Sequence, residues 1–147
     1  MNKLSKYIFI LLAVAVVVAC SGKKEAESTA SDMEWPEMDE FHLVMADAFH
    51  PYKDDSSNIA PAIKFAPELA RVAEKWSNAP LPEKVNNEEM KSSLSQLKTD
   101  AEAFAQLAQS GDSTKIGESL TSLHDAFHKV QEAWYGAGKE GHHEHKH

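Results

Sequence analysis

Apolar residues recur every three or four positions along four stretches of this chain, the spacing that puts them on one face of an α-helix. We expect Pro51 to end the first helix, Asn86 with Glu89 to cap the third, and Asp112 to cap the fourth. The four predicted helices cover roughly residues 36–50, 59–77, 87–109 and 113–135. No alternating strand pattern of useful length occurs. The pattern therefore predicts an all-α protein, an antiparallel up-down-up-down four-helix bundle.

The N-terminus has the pattern of an export signal. Lys3 and Lys6 precede an unbroken apolar run, and a small residue stands directly before Cys20. This order is typical of a signal peptide over residues 1–19, and it is too short for a membrane span. The cysteine after a small residue resembles a bacterial lipobox, in which Cys20 is acylated and anchors the chain in a membrane. Ser21 after it favours the outer over the inner membrane.

Composition limits the chemistry of the mature chain. Cys20 is the sole cysteine, which excludes a disulfide, a thiol nucleophile and covalent c-type haem. The net charge is −8 for the full chain and −10 without residues 1–19, which contain Lys3 and Lys6; this balance argues against nucleic-acid binding and suits the attraction of cations. Residues 21–32 lack large apolar groups, so residues 20–33 are expected to be a flexible tether, residues 34–135 the bundle, and residues 136–147 a disordered tail.

The fourth predicted helix contains the stretch Phe127-His128-Lys129-Val130-Gln131, followed by Trp134. This stretch resembles the last helix of the cytochrome c′ and b-type cytochrome bundles, in which Cys-x-x-Cys-His binds the haem shortly before an aromatic residue. In that comparison Phe127 and Val130 stand at the two haem-attachment positions. Gln131 stands where the family has its axial histidine, and glutamine is a poor ligand for haem iron.

The resemblance extends over most of residues 36–135. The segment 41–49, FHLVMADAF, is similar to the family's first helix, and the turn at Gly111-Asp112 is similar to its entry into the last helix. The resemblance implies a cytochrome c′-like bundle that has lost covalent haem. It places His42 on the distal side of the former haem position, and it implies a homodimer by analogy with the family.

Three histidines of the bundle are candidate ligands. His124 and His128 stand four residues apart and therefore project from the same side of a helix, which prepares two nitrogen donors for Zn, Ni, Co or Cu. Adjacent first and last helices would bring His42 to this pair, with Met45 or Asp125 close by. The alternatives left open are boundary residues without a ligand and a non-covalent haem bound through His42 or His124.

The tail is a second candidate for metal binding. His142, His143, His145 and His147 alternate with Glu144 and Lys146, and histidine-rich tracts of this kind bind metals in an exchangeable manner. The alternative is a solvated terminus without a ligand.

Catalytic patterns are lacking. His124-Asp125-Ala126-Phe127-His128 differs from the zinc-protease motif His-Glu-x-x-His by an aspartate too short for the role of base. The sequence also has no serine triad and no glycine-rich phosphate loop. It therefore predicts a non-enzymatic, lipid-anchored metal-binding protein of the cell envelope. The competing classes are a b-type haem protein for electron transfer or gas binding, and a structural or interaction lipoprotein without a cofactor.

Overall fold

The computed structural model of this chain describes residues 34–137. These residues form four α-helices and one short 3-10 turn, and no strand occurs among them: α1 is Pro36–Asp54, α2 is Ala60–Asn78, the 3-10 turn is Glu83–Val85, α3 is Glu88–Leu107 and α4 is Ser113–Gly136. The all-α class and the four helices predicted from the sequence are confirmed. The predictions for residues 1–19, for the tether up to Met33 and for the tail histidines concern residues outside the described range.

The helices pack around one apolar core, an arrangement compatible with a four-helix bundle. Each helix contacts the next one along the chain, and α4 also contacts α1. The predicted apolar stripes face inward. The largest fully buried side chains are Trp35, Trp76, Trp134, Phe41, Phe104 and Phe127. No polar or charged residue between Glu34 and Ala137 is buried, so the core gains its stability from apolar surface removed from water.

Helix ends follow local side-chain chemistry. The backbone N–H of Lys115 donates to Asp112 at 3.1 Å, which confirms the predicted cap of α4. The cap of α3 is Asn87 rather than the predicted Asn86, since the N–H of Met90 donates to Asn87 Oδ1 at 2.8 Å. Gly111 lies between these helices with a φ of +76°, a conformation that glycine adopts without steric cost.

Pro51 does not end α1 as the sequence pattern predicted. The helix continues to Asp54, and the N–H of Asp55 donates to the carbonyl of Pro51 at 3.1 Å. A proline removes its own N–H from the helix but leaves its carbonyl free to accept, so the next turn can form. This last turn carries Tyr52, whose ring lies against the backbone of α4 at Gly117.

Gly117 is required by this close approach. A Cβ at residue 117 would lie 2.6 Å from Cζ and 2.8 Å from Cε2 of Tyr52. We expect Gly117→Ala to destabilise the protein by about 1 kcal/mol, because overpacking outweighs the better helix propensity of alanine. In a Tyr52→Ala background the same change should instead stabilise it by about 0.8–1 kcal/mol. Urea unfolding of the four proteins measures both values. Destabilisation of equal size in both backgrounds would show that the Tyr52 ring is not the obstacle.

A set of ion pairs holds α1 against α2. Arg71 lies 3.1 Å from Glu40 and 2.6 Å from Glu68, and Lys75 also pairs with Glu40. Hydrogen bonds from Lys75 and then from Arg71 lower the pKa of Glu40 below its usual value. The carboxylate therefore stays charged in mildly acidic solution. These pairs are exposed to solvent, so they link α1 to α2 with only a small gain in stability.

None of the helices within residues 34–137 is long and apolar enough to cross a bilayer.

Candidate metal-binding site

Two imidazoles meet on the side of α4 that faces α1. His124 and His128 are one helical turn apart, so their side chains project in the same direction. Both are half-buried, because they flank the stripe of α4 that enters the core. Their Nε2 atoms are 3.1 Å apart, and the ring planes cross at 78°. The sequence prediction that these two residues form a pair is consistent with this contact.

The ring of His124 has a neighbour on its face and another at its second nitrogen. Phe49 of α1 stacks on the imidazole, with ring centroids 3.8 Å apart and an interplanar angle of 12°. The Nδ1 atom lies 3.8 Å from a carboxylate oxygen of Asp125. This separation is longer than a hydrogen bond, so Asp125 acts on the His124 ring through its charge rather than by fixing which nitrogen carries the proton.

The electrostatics of the site keep His124 neutral. Burial is the main cause that lowers its pKa below the ordinary histidine value, and the neighbouring charge of His128 adds to this effect. Asp125 opposes the shift. A lower pKa means that protons compete for this nitrogen only in more acidic solution than they would at an exposed histidine. The neutral imidazole is the form that binds metal ions.

His42 lies on the same side of the bundle but apart from the pair. Its side chain is exposed, and its ring stacks on Phe127 with centroids 5.4 Å apart and planes at 22°. Phe127 in turn contacts the ring of His128 at 5.7 Å. No group of three histidine, cysteine, aspartate or glutamate side chains with metal-binding spacing occurs within residues 34–137. His124 and His128 are thus in contact with each other, whereas His42 stacks on Phe127 and lies apart from them.

The remaining bundle candidates occupy different environments. Met45 is 1 % exposed and belongs to the core, so its thioether is shielded from solvent. Asp125 is exposed and touches the site through Nδ1 of His124 rather than through the Nε2 side. Asp125 is thus an exposed, charged neighbour of His124, and Met45 is a packing residue.

The residues that the sequence resemblance aligned with haem attachment lie on or beside the inward face of α4. Phe127 and Val130 are buried, and Gln131 is half-buried. The Phe127 ring lies 5.4 Å from Phe41 and 6.3 Å from Trp76, so aromatic rings pack around it. Phe127 is therefore part of the apolar core.

Sequence reasoning missed Phe49. Its position four residues after Met45 continues the apolar stripe of α1 and could have indicated a buried ring. Its partner on α4 could not be read from that spacing, because the stack depends on how the two helices are rotated about their axes.

No family model, curated protein or solved structure matches this chain. The geometry of the site therefore carries the functional argument.

Proposed function

We propose that this protein binds a transition-metal ion through His124 and His128 and does not catalyse a reaction. The observation that carries the proposal is the 3.1 Å separation of the two Nε2 atoms. Two imidazole nitrogens at this separation form one hydrogen bond when one of them carries a proton, and they are close enough to bind one ion together when neither does. Imidazole nitrogen is a preferred ligand of Zn, Ni, Co and Cu, and the i, i+4 spacing on a helix fixes two of them at once.

Other groups complete the proposed coordination shell. His124 and His128 are half-exposed, so water has access to the ion. His42 is the third proposed ligand, and it has to leave its stack on Phe127 to reach the pair. Asp125 acts through Nδ1 of His124, as carboxylates commonly do behind a metal-bound histidine.

The proposed setting is the cell envelope. Acylated Cys20 would hold the bundle at a membrane, the outer one in preference to the inner one, and the protein would sequester, deliver or sense the ion. Ring contacts pair Trp35 with Trp134, Phe41 with Phe127 and Phe49 with His124. The residue numbers rise towards the end of α1 while they fall along α4, which supports an antiparallel packing of these two helices. His142, His143, His145 and His147 would add a second, exchangeable site.

Non-covalent haem has less support as a function. A porphyrin next to α4 would need the space that the rings of Phe127, Phe41 and Trp76 occupy. A small ion next to His124 and His128 can take its remaining ligands from water and from His42 and displaces none of these rings from the core. The proposal therefore keeps the cytochrome c′-like bundle and replaces its cofactor with a single ion.

Equilibrium dialysis with elemental analysis tests this proposal. The purified chain is compared with a His124→Ala/His128→Ala variant, with a variant in which the four tail histidines are alanine, and with His50→Ala, which removes an exposed imidazole of α1. We expect the tail variant and His50→Ala to retain one tightly bound zinc or nickel ion that the double variant loses. Binding that disappears only with the tail, or a Soret band that survives desalting, would contradict the proposal.

A further inference from the structure

The separation of the two nitrogens restricts the geometry of a bound ion. With metal–nitrogen distances of about 2.0–2.1 Å, two Nε2 atoms 3.1 Å apart subtend an angle of about 95–100° at the ion. This N–metal–N angle lies between the angles that adjacent ligands make in square-planar and in tetrahedral coordination. Zn(II) favours the tetrahedral form, and Cu(II) and Ni(II) favour the square form. Cu(I) bound to two imidazoles instead places them on opposite sides of the ion, so the nitrogens move apart.

Phe49 is the residue that limits such a movement. It is 8 % exposed, held between α1 and α4, and its ring covers one face of the His124 imidazole at 3.8 Å. The His124 ring can move away from His128 only by leaving this stack or by pushing Phe49 out of the core. Movement of the His128 ring would in turn disturb its contact with the buried ring of Phe127 at 5.7 Å. The stack of His42 on Phe127 differs from the stack of Phe49 on His124, because His42 is exposed and its ring centroid lies 5.4 Å from that of Phe127. His42 can move at small cost, whereas His124 cannot.

We propose that Phe49 is a positioning residue that fixes the His124 ring for adjacent coordination, so that the site takes divalent ions of the Zn(II), Ni(II) and Cu(II) class in preference to Cu(I). This inference rests on the proposed metal binding by His124 and His128. It goes further by naming the class of ion and the residue that sets the preference. Phe49 does not touch the ion, and it acts through the ring it holds.

Separate competition titrations with Zn(II) and with Cu(I), the latter in oxygen-free reducing buffer, test the inference. The chain in which the tail histidines are alanine serves as background, so that only the bundle site is measured. Phe49→Leu and Phe49→Met keep an apolar side chain and remove the ring, and Phe49→Tyr keeps the ring. We expect the leucine and methionine variants to bind Zn(II) about tenfold more weakly, the loss typical of an outer partner, and to bind Cu(I) more tightly, because the His124 ring is then free to move away from His128. The tyrosine variant should retain the original affinities.

Two results separate the failure of this inference from failure of the proposed function. Equal losses for both ions in Phe49→Leu and Phe49→Met, or no loss for either, would overturn the role of Phe49 while leaving the site itself in place. Absence of zinc binding in the unsubstituted background chain would overturn the proposed function before Phe49 is changed. Circular dichroism of each variant shows whether the bundle is intact, and two ring-free variants keep the comparison available if one of them unfolds.

Discussion

Replacing Phe127 by alanine should lower the free energy of unfolding by about 3–5 kcal/mol, the loss typical of truncating a large, fully buried aromatic side chain. Phe127 is 1 % exposed, and its ring meets those of Phe41, Trp76, His42 and His128. Truncation removes these contacts and leaves a cavity that the surrounding rings fill only in part. Because small domains are stable by about 5–15 kcal/mol, this single change would use a large share of the total.

Urea unfolding followed by circular dichroism measures this loss as a fall in the transition midpoint at an unchanged slope. Leu43→Ala is the matched control, since Leu43 is 70 % exposed and its truncation should change stability by less than about 0.5 kcal/mol. If Phe127→Ala does not fold, Phe127→Leu keeps much of the volume and should give a smaller, measurable loss. A change in Phe127→Ala as small as that of the control would show that the ring is not packed in the core as described.

The helices could be predicted because their signals are local. Spacing of apolar residues fixed the four helices to within a few positions, and Asp112 was found as a cap from its place before the fourth stripe. Pro51 misled the prediction, since the sequence does not show that the following turn is held by Tyr52 packing on Gly117. Trp35 was missed because it precedes α1 and has no helical period of its own. It is nevertheless buried, with ring centroids 5.1 Å from both Trp76 and Trp134.

The candidate site likewise has a part that the sequence of one helix predicts and a part that depends on how two helices pack. The pairing of His124 with His128 depends only on the pitch of one helix, so four residues of sequence were enough to predict it. The placement of His42 depends on the rotation of α1 relative to α4, and its stack on Phe127 could not be derived from either helix alone. The same rotation brings Phe49 onto His124. Sequence therefore predicted that the two imidazoles lie side by side, and tertiary packing determined which rings surround them.

Saturation with zinc or nickel should raise the melting temperature of the protein by about 10 °C, and EDTA should reverse the increase. A ligand that binds only the folded state stabilises it by about 2.7 kcal/mol at one hundred times its dissociation constant. For a domain of this size, 1 kcal/mol corresponds to roughly 4 °C or more. The Nε2 atoms of His124 and His128 are 3.1 Å apart only when α4 is helical, so their ion favours the folded chain.

The same measurement distinguishes the bundle site from the tail. Tail histidines lie within six residues of sequence, His142 to His147, so they are close together whether or not the bundle is folded. An ion held there alone binds both states and leaves the melting temperature unchanged. We therefore expect the stabilisation to persist in the tail variant and in His50→Ala, and to vanish in His124→Ala/His128→Ala. Metal-dependent stabilisation of the double variant would place the ion elsewhere on the folded bundle.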